Sequence, residues 1–276
     1  MAPPEPQPKP AEIAQRPLLA EVLSREGIVV AASLAILAGL AWWWLTLGAG
    51  MPPGPIAPAM PGMAMPAAAP PQVWSPTYLG ATFAMWSVMM VAMMLPSAAP
   101  MILLHELFSR RNGLGPGSTW AFAASYLALW TLFALAAALA QAALIGTGLV
   151  NGATMAIGDH HGAAALLLAA AAWQLSPLKR LCLSQCQAPF RFLIRHWRPG
   201  IDGAVAMGLR HGLYCIGCCW VVMALLFVGG VMNLAWVAVL AIAVLAEKYA
   251  PADWRADRIA AAALIIAAAI VWWRGG

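Results

Sequence analysis

The distribution of charged residues constrains this chain more than any other feature of its sequence. No Asp, Glu, Lys or Arg occurs between Glu26 and Glu106, and a second uncharged stretch runs from Asn112 to Gly158. Only 9% of the residues are charged and 63% are hydrophobic, whereas soluble domains average about 25% charged residues. Uncharged stretches of this length are typical of segments that lie in lipid. The composition therefore excludes a soluble enzyme, a nucleic-acid-binding protein and a disordered chain.

Apolar stretches long enough for membrane helices recur along the chain. A spanning helix needs about 20 mostly apolar residues, and the dominance of Leu, Ala, Val and Met favours helices over the alternating pattern of a barrel. We predict an all-α fold, a polytopic bundle of about seven transmembrane helices, some of them short. The predicted spans are Ile28–Leu47, Tyr78–Leu104, Gly117–Ile145, Ala163–Leu178, Ala204–Val228, Val231–Ala246 and Ile259–Trp273.

The positive charges indicate the orientation of this bundle, because cytoplasmic loops are enriched in Lys and Arg. Such residues precede the first predicted span and follow the second, fourth and sixth, whereas the intervening loops contain none. Only Arg274 falls on the other side. We therefore predict a cytoplasmic N-terminus and an external C-terminus. The net charge of +5 then reflects the inner membrane surface and not an acidic partner.

The composition also divides the chain into five regions. Residues 1–27 are polar and Pro-rich and are predicted to form a cytoplasmic tail with little fixed structure. The first transmembrane helix occupies residues 28–47, and a Pro- and Met-rich extracytoplasmic linker occupies residues 48–77. Residues 78–250 form the core membrane domain, and residues 251–276 contain the last transmembrane helix.

The five cysteines provide the main chemical signal, because they all lie in two short groups. The groups are Cys182-x-x-x-Cys186 and Cys215-x-x-Cys218-Cys219, and residues three or four apart share a helix face. The predicted topology brings both groups to the inner membrane boundary. There, a reducing cytoplasm favours free thiols or metal thiolates over disulfides. The alternative is inert packing, since buried cysteine is a common apolar residue.

The second predicted span carries a stripe of methionines on about half of its circumference. They are Met85, Met89, Met90, Met93 and Met94. Thioether sulfur is a soft, neutral ligand that suits Cu(I), although methionine also simply fills gaps between helices. Pro96 and Pro100 follow the stripe, and the backbone carbonyls that they release must find a partner in protein, water or an ion.

Ionisable side chains in or beside the spans are candidates for function, because they are costly in lipid. His211 lies four residues before Cys215 and offers a nitrogen ligand on the same face, with a packing histidine as the alternative. Glu247 is also a candidate, with a helix end marked by Glu247-Lys248 as the alternative. Gln174 must form a hydrogen bond to another helix.

Further candidate ligands lie on the predicted outer side. Their composition resembles copper-handling segments outside the cytoplasm, although a biased Pro/Ala/Met linker gives the same pattern. They are Met51, Met60, Met63, Met65, Asp159, His160 and His161.

Three stretches of the chain together resemble a bacterial family of predicted metal-binding integral membrane proteins whose function is not established. The resemblance covers about residues 78–250 and implies a polytopic membrane protein with a soft-metal site at the Met and Cys positions. It implies no particular reaction or transport direction. The stretches are Trp86-x-x-Met89-x-x-Ala92-Met93-Met94-x-Pro96, Gln174-x-x-Pro177-x-Lys179-x-x-Cys182-x-x-x-Cys186-x-x-Pro189, and Gly212-x-x-Cys215-x-Gly217-Cys218-Cys219-Trp220-x-x-Met223, the last continuing into Gly230-x-Met232-Asn233 and Glu247-Lys248.

We therefore predict an integral protein of the bacterial cytoplasmic (inner) membrane that binds a soft transition metal for transport, transfer or delivery. Cu(I) is the preferred metal and zinc the alternative. The predicted ligands are Cys182, Cys186, Cys215, Cys218, Cys219, Met89, Met93 and Met94, with His211 and Glu247 as secondary candidates. The expected partners are the lipid bilayer and a metal chaperone or metalloprotein client, with no nucleic acid.

Two functions of other classes stay open. A membrane thiol oxidoreductase would exchange electrons with quinone through Cys215-x-x-Cys218, although the predicted cytoplasmic location disfavours a disulfide there. A structural or assembly subunit of a membrane complex would use its Met and Cys for packing only. No phosphate-binding loop, GxSxG or HExxH motif occurs, and nucleotide hydrolysis by this chain is not expected to drive transport.

Overall fold

The computed structural model describes residues 25–48, 72–250 and 256–275, and these residues form helices and no strand. The predicted all-α fold is therefore confirmed for this part of the chain. Most of the predicted tail and linker, residues 1–24 and 49–71, lies outside it. The helices are α1 (Arg25–Thr46), α2 (Pro76–Arg111), α3 (Gly117–Gly146), α4 (His160–Gln174), α5 (Pro177–Gln187), α6 (Pro189–His196), α7 (Gly200–Ala224), α8 (Leu226–Gly229), α9 (Leu234–Tyr249) and α10 (Ala256–Arg274).

All seven predicted spans contain a helix, but the predicted end of the fourth and the predicted start of the sixth are wrong, since the helix of the sixth span begins at Leu234 and not at Val231. Helix α4 ends at Gln174 and not at Leu178, because Ser176 caps a new helix and Pro177 occupies its first turn. The fifth predicted span is likewise divided into α7 and the short α8. Within the described ranges, five segments are long and apolar enough to cross a membrane, namely α1, α2, α3, residues 200–229 and α10. Helices α4 and α9 have 15 and 16 residues.

Helices α2, α3 and α7 build the centre of the fold. Helix α3 packs along both α2 and α7, α1 covers α2, and α4 pairs with α10. Gly208 and Gly212 of α7 allow the close approach of α3. A Cβ atom at Gly208 would overlap Ser125 Oγ, and one at Gly212 would lie 2.9 Å from Leu129 Cδ2. This G-x-x-x-G spacing is typical of helices that pack closely in membranes.

Contacts between helix ends define the direction of the helices. Arg110 in the last turn of α2 lies 3.7 Å from Glu26 at the start of α1, so α1 and α2 are antiparallel. Thr119 Oγ1 at the start of α3 donates to Glu106 Oε2 at 3.1 Å. Helices α1 and α3 therefore begin at the end of the bundle where α2 ends.

The prolines of α2 release two backbone carbonyls, and both have protein partners. Pro96 and Pro100 lack the N–H groups that would bond to the carbonyls of Ala92 and Pro96. Trp42 Nε1 of α1 donates to the Ala92 carbonyl at 3.1 Å. Tyr249 OH of α9 donates to the Pro96 carbonyl at 3.4 Å. Neighbouring helices therefore replace the two backbone hydrogen bonds that the prolines remove.

We expect Trp42→Phe to lower the free energy of unfolding by about 1 kcal/mol, because the Ala92 carbonyl then loses its donor. In a Pro96→Ala background the same substitution should cost much less, because the N–H of residue 96 takes over the bond. Thermal unfolding in detergent measures this double-mutant cycle, with the exposed Trp43→Phe as control. Equal losses in the two backgrounds would show that the indole acts through packing alone.

Candidate metal centre

Four cysteines meet where α5 packs against α7. The side chains of Cys215, Cys218 and Cys219 are buried in α7. Cys186, in the last turn of α5, lies beside Cys215 and Cys218, and the Sγ atoms of Cys218 and Cys219 lie 3.3 Å apart. We call Cys186, Cys215, Cys218 and Cys219 the thiol cluster. The thiol cluster therefore contains cysteines from both groups of the sequence.

Cys182 occupies a different position, although it lies one helical turn before Cys186. Its Sγ packs against Gly217 so closely that a Cβ atom at that glycine would lie 2.7 Å away. Burial raises the pKa of the Cys182 thiol. The hydrogen bond with Cys215 raises the pKa of Cys186 well above its ordinary value. Cys182 therefore forms part of the packing contact between α5 and α7, whereas Cys186 lies next to the other cysteine sulfurs.

A buried lysine contacts the centre of the thiol cluster. Lys248 Nζ of α9 donates to Cys215 Sγ at 3.0 Å and to Ser97 Oγ of α2 at 2.7 Å. Tyr126 OH of α3 lies 3.2 Å from the same sulfur. Among the described residues, no carboxylate forms an ion pair with Lys248. A buried ammonium requires a counter-charge, and a Cys215 thiolate would supply it.

The neighbouring Glu247 belongs to a separate network. Its Oε2 accepts a hydrogen bond from Lys179 Nζ at 2.6 Å, and its Oε1 accepts one from Gln174 Nε2 at 2.6 Å. Lys179 also donates to Gln174, and Gln187 Nε2 donates to the Glu247 carbonyl at 2.8 Å. Gln174 thus forms the interhelical bond that the sequence predicts. The network fixes α5 to α9 next to Cys186.

The three methionine candidates are buried in α2 but differ in their surroundings. The Met94 carbonyl accepts a hydrogen bond from Tyr126 OH at 3.3 Å, which places Met94 at the level of Cys215. Met93 lines a separate cavity of about 330 Å³ between α1, α2 and α9. Met89 lies five residues before Met94, about 7.5 Å along the helix.

His211 is buried among aromatic rings, one turn from Cys215. Its ring centroid lies 5.6 Å from that of Tyr126 and 5.4 Å from that of Phe192. Its Nδ1 atom has no hydrogen-bond partner among the residues that the structure describes. His211 also lines a cavity of about 490 Å³ that reaches Cys186 and Lys248. His211 therefore has a packing role between aromatic rings. Its Nδ1 atom forms no hydrogen bond within the described part of the chain.

The candidates of the predicted outer side have other surroundings. The methionines at positions 51, 60, 63 and 65 lie outside the described residues. Asp159 caps α4, where its Oδ2 accepts a hydrogen bond from the Gly162 N–H at 2.8 Å. Backbone hydrogen bonds from Gly162 and His161 lower the pKa of this carboxyl. The His161 ring packs on Trp272, with centroids 4.4 Å apart.

The thiol cluster is not arranged around a common point. Across the described residues, no group of three or more His, Cys, Asp or Glu side chains is placed so that it could hold a metal ion. The sulfurs bond to each other and to Lys248 instead. A metal would therefore replace hydrogen bonds between thiols, and those side chains would have to turn towards it.

Sequence reasoning missed two residues that surround Cys215. Lys248 was visible only as the partner of Glu247 at a helix end, and its position directly after the apolar run was the available signal. Tyr126 is one of only 4 tyrosines in the chain and lies within an uncharged helix, where its hydroxyl needs a partner.

The thiol cluster lies within a stretch of the chain that matches a known protein family. Residues 83–271 match the PpoB2 family, which is described as a copper chaperone family. The match covers more than half of the chain, and the chain therefore belongs to this family. No curated protein and no solved structure gives a significant match. The family supports a copper-related function and agrees with the metal-binding part of the resemblance described above; it does not address the membrane.

We expect Lys179→Met to lower the free energy of unfolding by about 3–5 kcal/mol, because it leaves the Glu247 carboxylate buried without its cation. The double variant Lys179→Met/Glu247→Gln should recover part of this loss. Chemical unfolding in detergent measures both variants, and the exposed Arg180→Met serves as the control. A double variant less stable than Lys179→Met would contradict this account of the ion pair.

Proposed function

We propose that this protein is a membrane-embedded copper chaperone that holds Cu(I) at the thiol cluster and passes it to a metalloprotein client. The observation that carries the proposal is the meeting of Cys186, Cys215 and Cys218 beside a buried lysine. Membership of a copper chaperone family supports copper as the metal that this cluster would hold. Copper is the cargo of the protein in this proposal, and no catalytic residue is required.

The chemistry of the thiol cluster fits Cu(I). Thiolates are soft ligands that select Cu(I) over hard cations. A Cu(I) ion bound by two thiolates carries one negative charge, and the Lys248 ammonium beside Cys215 makes the assembly neutral. Zinc would need a third thiolate to reach the same neutrality. The copper assembly reaches neutrality with two thiolates and the zinc assembly with three. In a water-poor interior, the assembly with fewer charges is favoured, and this favours Cu(I).

The ligand set that we propose is narrower than the set predicted from the sequence. It keeps Cys186, Cys215, Cys218 and Cys219 as the cysteines that supply the two thiolate ligands, with Met94, at the level of Cys215, as the thioether candidate. Cys182 packs against Gly217 and acts as a spacer between helices. Glu247 is left out because both of its carboxylate oxygens are engaged by Lys179 and Gln174.

A location in the bacterial cytoplasmic membrane is also part of this proposal. Five helices have the length and apolarity needed to cross a bilayer. Large apolar side chains stay exposed along them, for example Leu40 (59%), Leu132 (61%) and Ile266 (60%). Exposed apolar surface of this extent is typical of contact with lipid or with partner proteins. The basic residues favour a cytoplasmic N-terminus.

We expect detergent-purified protein, loaded with Cu(I) under reducing conditions and then desalted, to retain copper. Cys215→Ser should lower its copper affinity by about 10–100-fold, because this sulfur is central to the cluster. Cys182→Ser is the matched control and should retain a copper load close to that of the wild type. Elemental analysis and competition with a Cu(I) chelator measure both quantities.

The proposal fails if the wild type retains no more copper than a variant in which all five cysteines are replaced by serine. Circular dichroism of each variant separates lost binding from lost fold. Equal losses in Cys182→Ser and Cys215→Ser would move the site away from the thiol cluster.

Cysteine labelling in a cysteine-free background should establish the orientation. We expect Asn151→Cys to react with a membrane-impermeant maleimide in intact cells, and Arg195→Cys to react only after permeabilisation, because the positive charges favour a cytoplasmic α5–α6 region. Labelling of both positions from one side would show that α4 does not cross the membrane. Labelling of wild-type Cys186 from outside would favour the thiol oxidoreductase.

A further inference from the structure

A cavity of about 490 Å³ opens beside the thiol cluster. We call it the vestibule. Its volume lies within the range of about 300–1,000 Å³ that is common for small-molecule sites. Helices α2 and α9 and the junction of α5 and α6 form its walls, which include Pro100, Met101, Gln187 and Ala250.

The lining of the vestibule changes from exposed to buried residues with depth. Ser184, Arg191 and Tyr249 are exposed at its mouth, while His211 and Lys248 are buried at its base. Cys186 lines the wall and lies beside Cys215, which contacts Lys248. A ligand in the vestibule therefore meets Cys186 before it reaches the buried sulfurs.

The charged side chains that line the vestibule favour an anion, mainly through Arg191, because the Lys248 ammonium is offset by the Cys215 sulfur that it contacts. Arg191 and Lys248 line it, and no carboxylate does so among the described residues. Glu247, next to Lys248 in sequence, is engaged by Lys179 on the other side. A cleft lined by one sign of charge attracts ligands of the opposite sign and raises their association rate. A bare Cu(I) cation would be repelled.

We infer that the vestibule admits copper as an anionic complex, Cu(I) bound by a small thiol that carries carboxylates. This inference rests on the proposed function, since the vestibule leads to the thiol cluster. Arg191 attracts the carboxylates of the carrier, and Cys186 is the first protein sulfur to contact the metal. A bound anionic lipid headgroup would use the same cations but would leave Cys186 without a role.

The transfer is an exchange of ligands at constant oxidation state. Two bonds between copper and carrier sulfur break, and two bonds between copper and cysteine sulfur form. Cys215 binds as the thiolate that pairs with Lys248, and the second cysteine gives its proton to one released carrier thiolate. The other carrier thiolate takes its proton from water, and both carriers depart as free thiols. Copper stays Cu(I) throughout, so that no oxidant or reductant takes part.

Glutathione and its diethyl ester provide matched carriers, because they offer the same thiol with and without carboxylate charge. Full-length protein in neutral detergent is mixed with Cu(I) and excess carrier, separated by rapid gel filtration and analysed for copper over time. We expect Arg191→Gln to slow loading from glutathione by about 3–10-fold and to leave loading from the ester unchanged. The final copper content should stay the same. Arg195→Gln, on the same helix but outside the vestibule, is the control.

Three outcomes would overturn the inference while leaving the proposed function intact. They are equal effects of Arg191→Gln and Arg195→Gln, equal slowing with both carriers, and slower loading of the wild type from both carriers when phosphatidylglycerol is added. The last outcome would indicate a lipid site. Failure of the wild type to take copper from either carrier would overturn the proposed function as well.

Discussion

The contact between the Lys248 ammonium and the Cys215 sulfur is the interaction on which the candidate centre depends. An isolated buried ammonium is strongly unfavourable, so this cation holds α9 against the helix that carries its partner. Ser97 of α2 and Tyr126 of α3 complete the surroundings of the pair. Four helices therefore each contribute one polar group at a single point. Copper in the thiol cluster would enter a site whose positive charge is already in place.

The adjacent residue determines which charges pair with each other. Glu247 precedes Lys248 and would be its natural counter-ion, but α9 points the two side chains into different networks. Lys179 neutralises Glu247 at 2.6 Å, and Lys248 is thereby left for Cys215. Breaking the first pair would release a carboxylate beside the second. Lys179 of α5 therefore helps to set the charge of the thiol cluster, although the three buried cysteines of the cluster all lie on α7.

Much of the fold is predictable from the sequence, because lipid-length apolar runs specify helices with little ambiguity. The meeting of the two cysteine groups also follows from the order of the helices and their charges. The partners of Cys215 do not, since they depend on how each helix is rotated about its axis. Helices that are apolar on all faces carry little information about that rotation. The Ser176-Pro177 boundary, in contrast, was legible as a cap followed by a proline.

The hydroxyl of Tyr249 has two roles that belong to different parts of the molecule. It supplies the hydrogen bond that Pro100 denies to the Pro96 carbonyl, and its side chain borders the vestibule. An occupant that pushed this ring aside would also leave a carbonyl of α2 without a donor. The shape of the longest helix and the filling of the cavity are therefore mechanically linked through one aromatic residue.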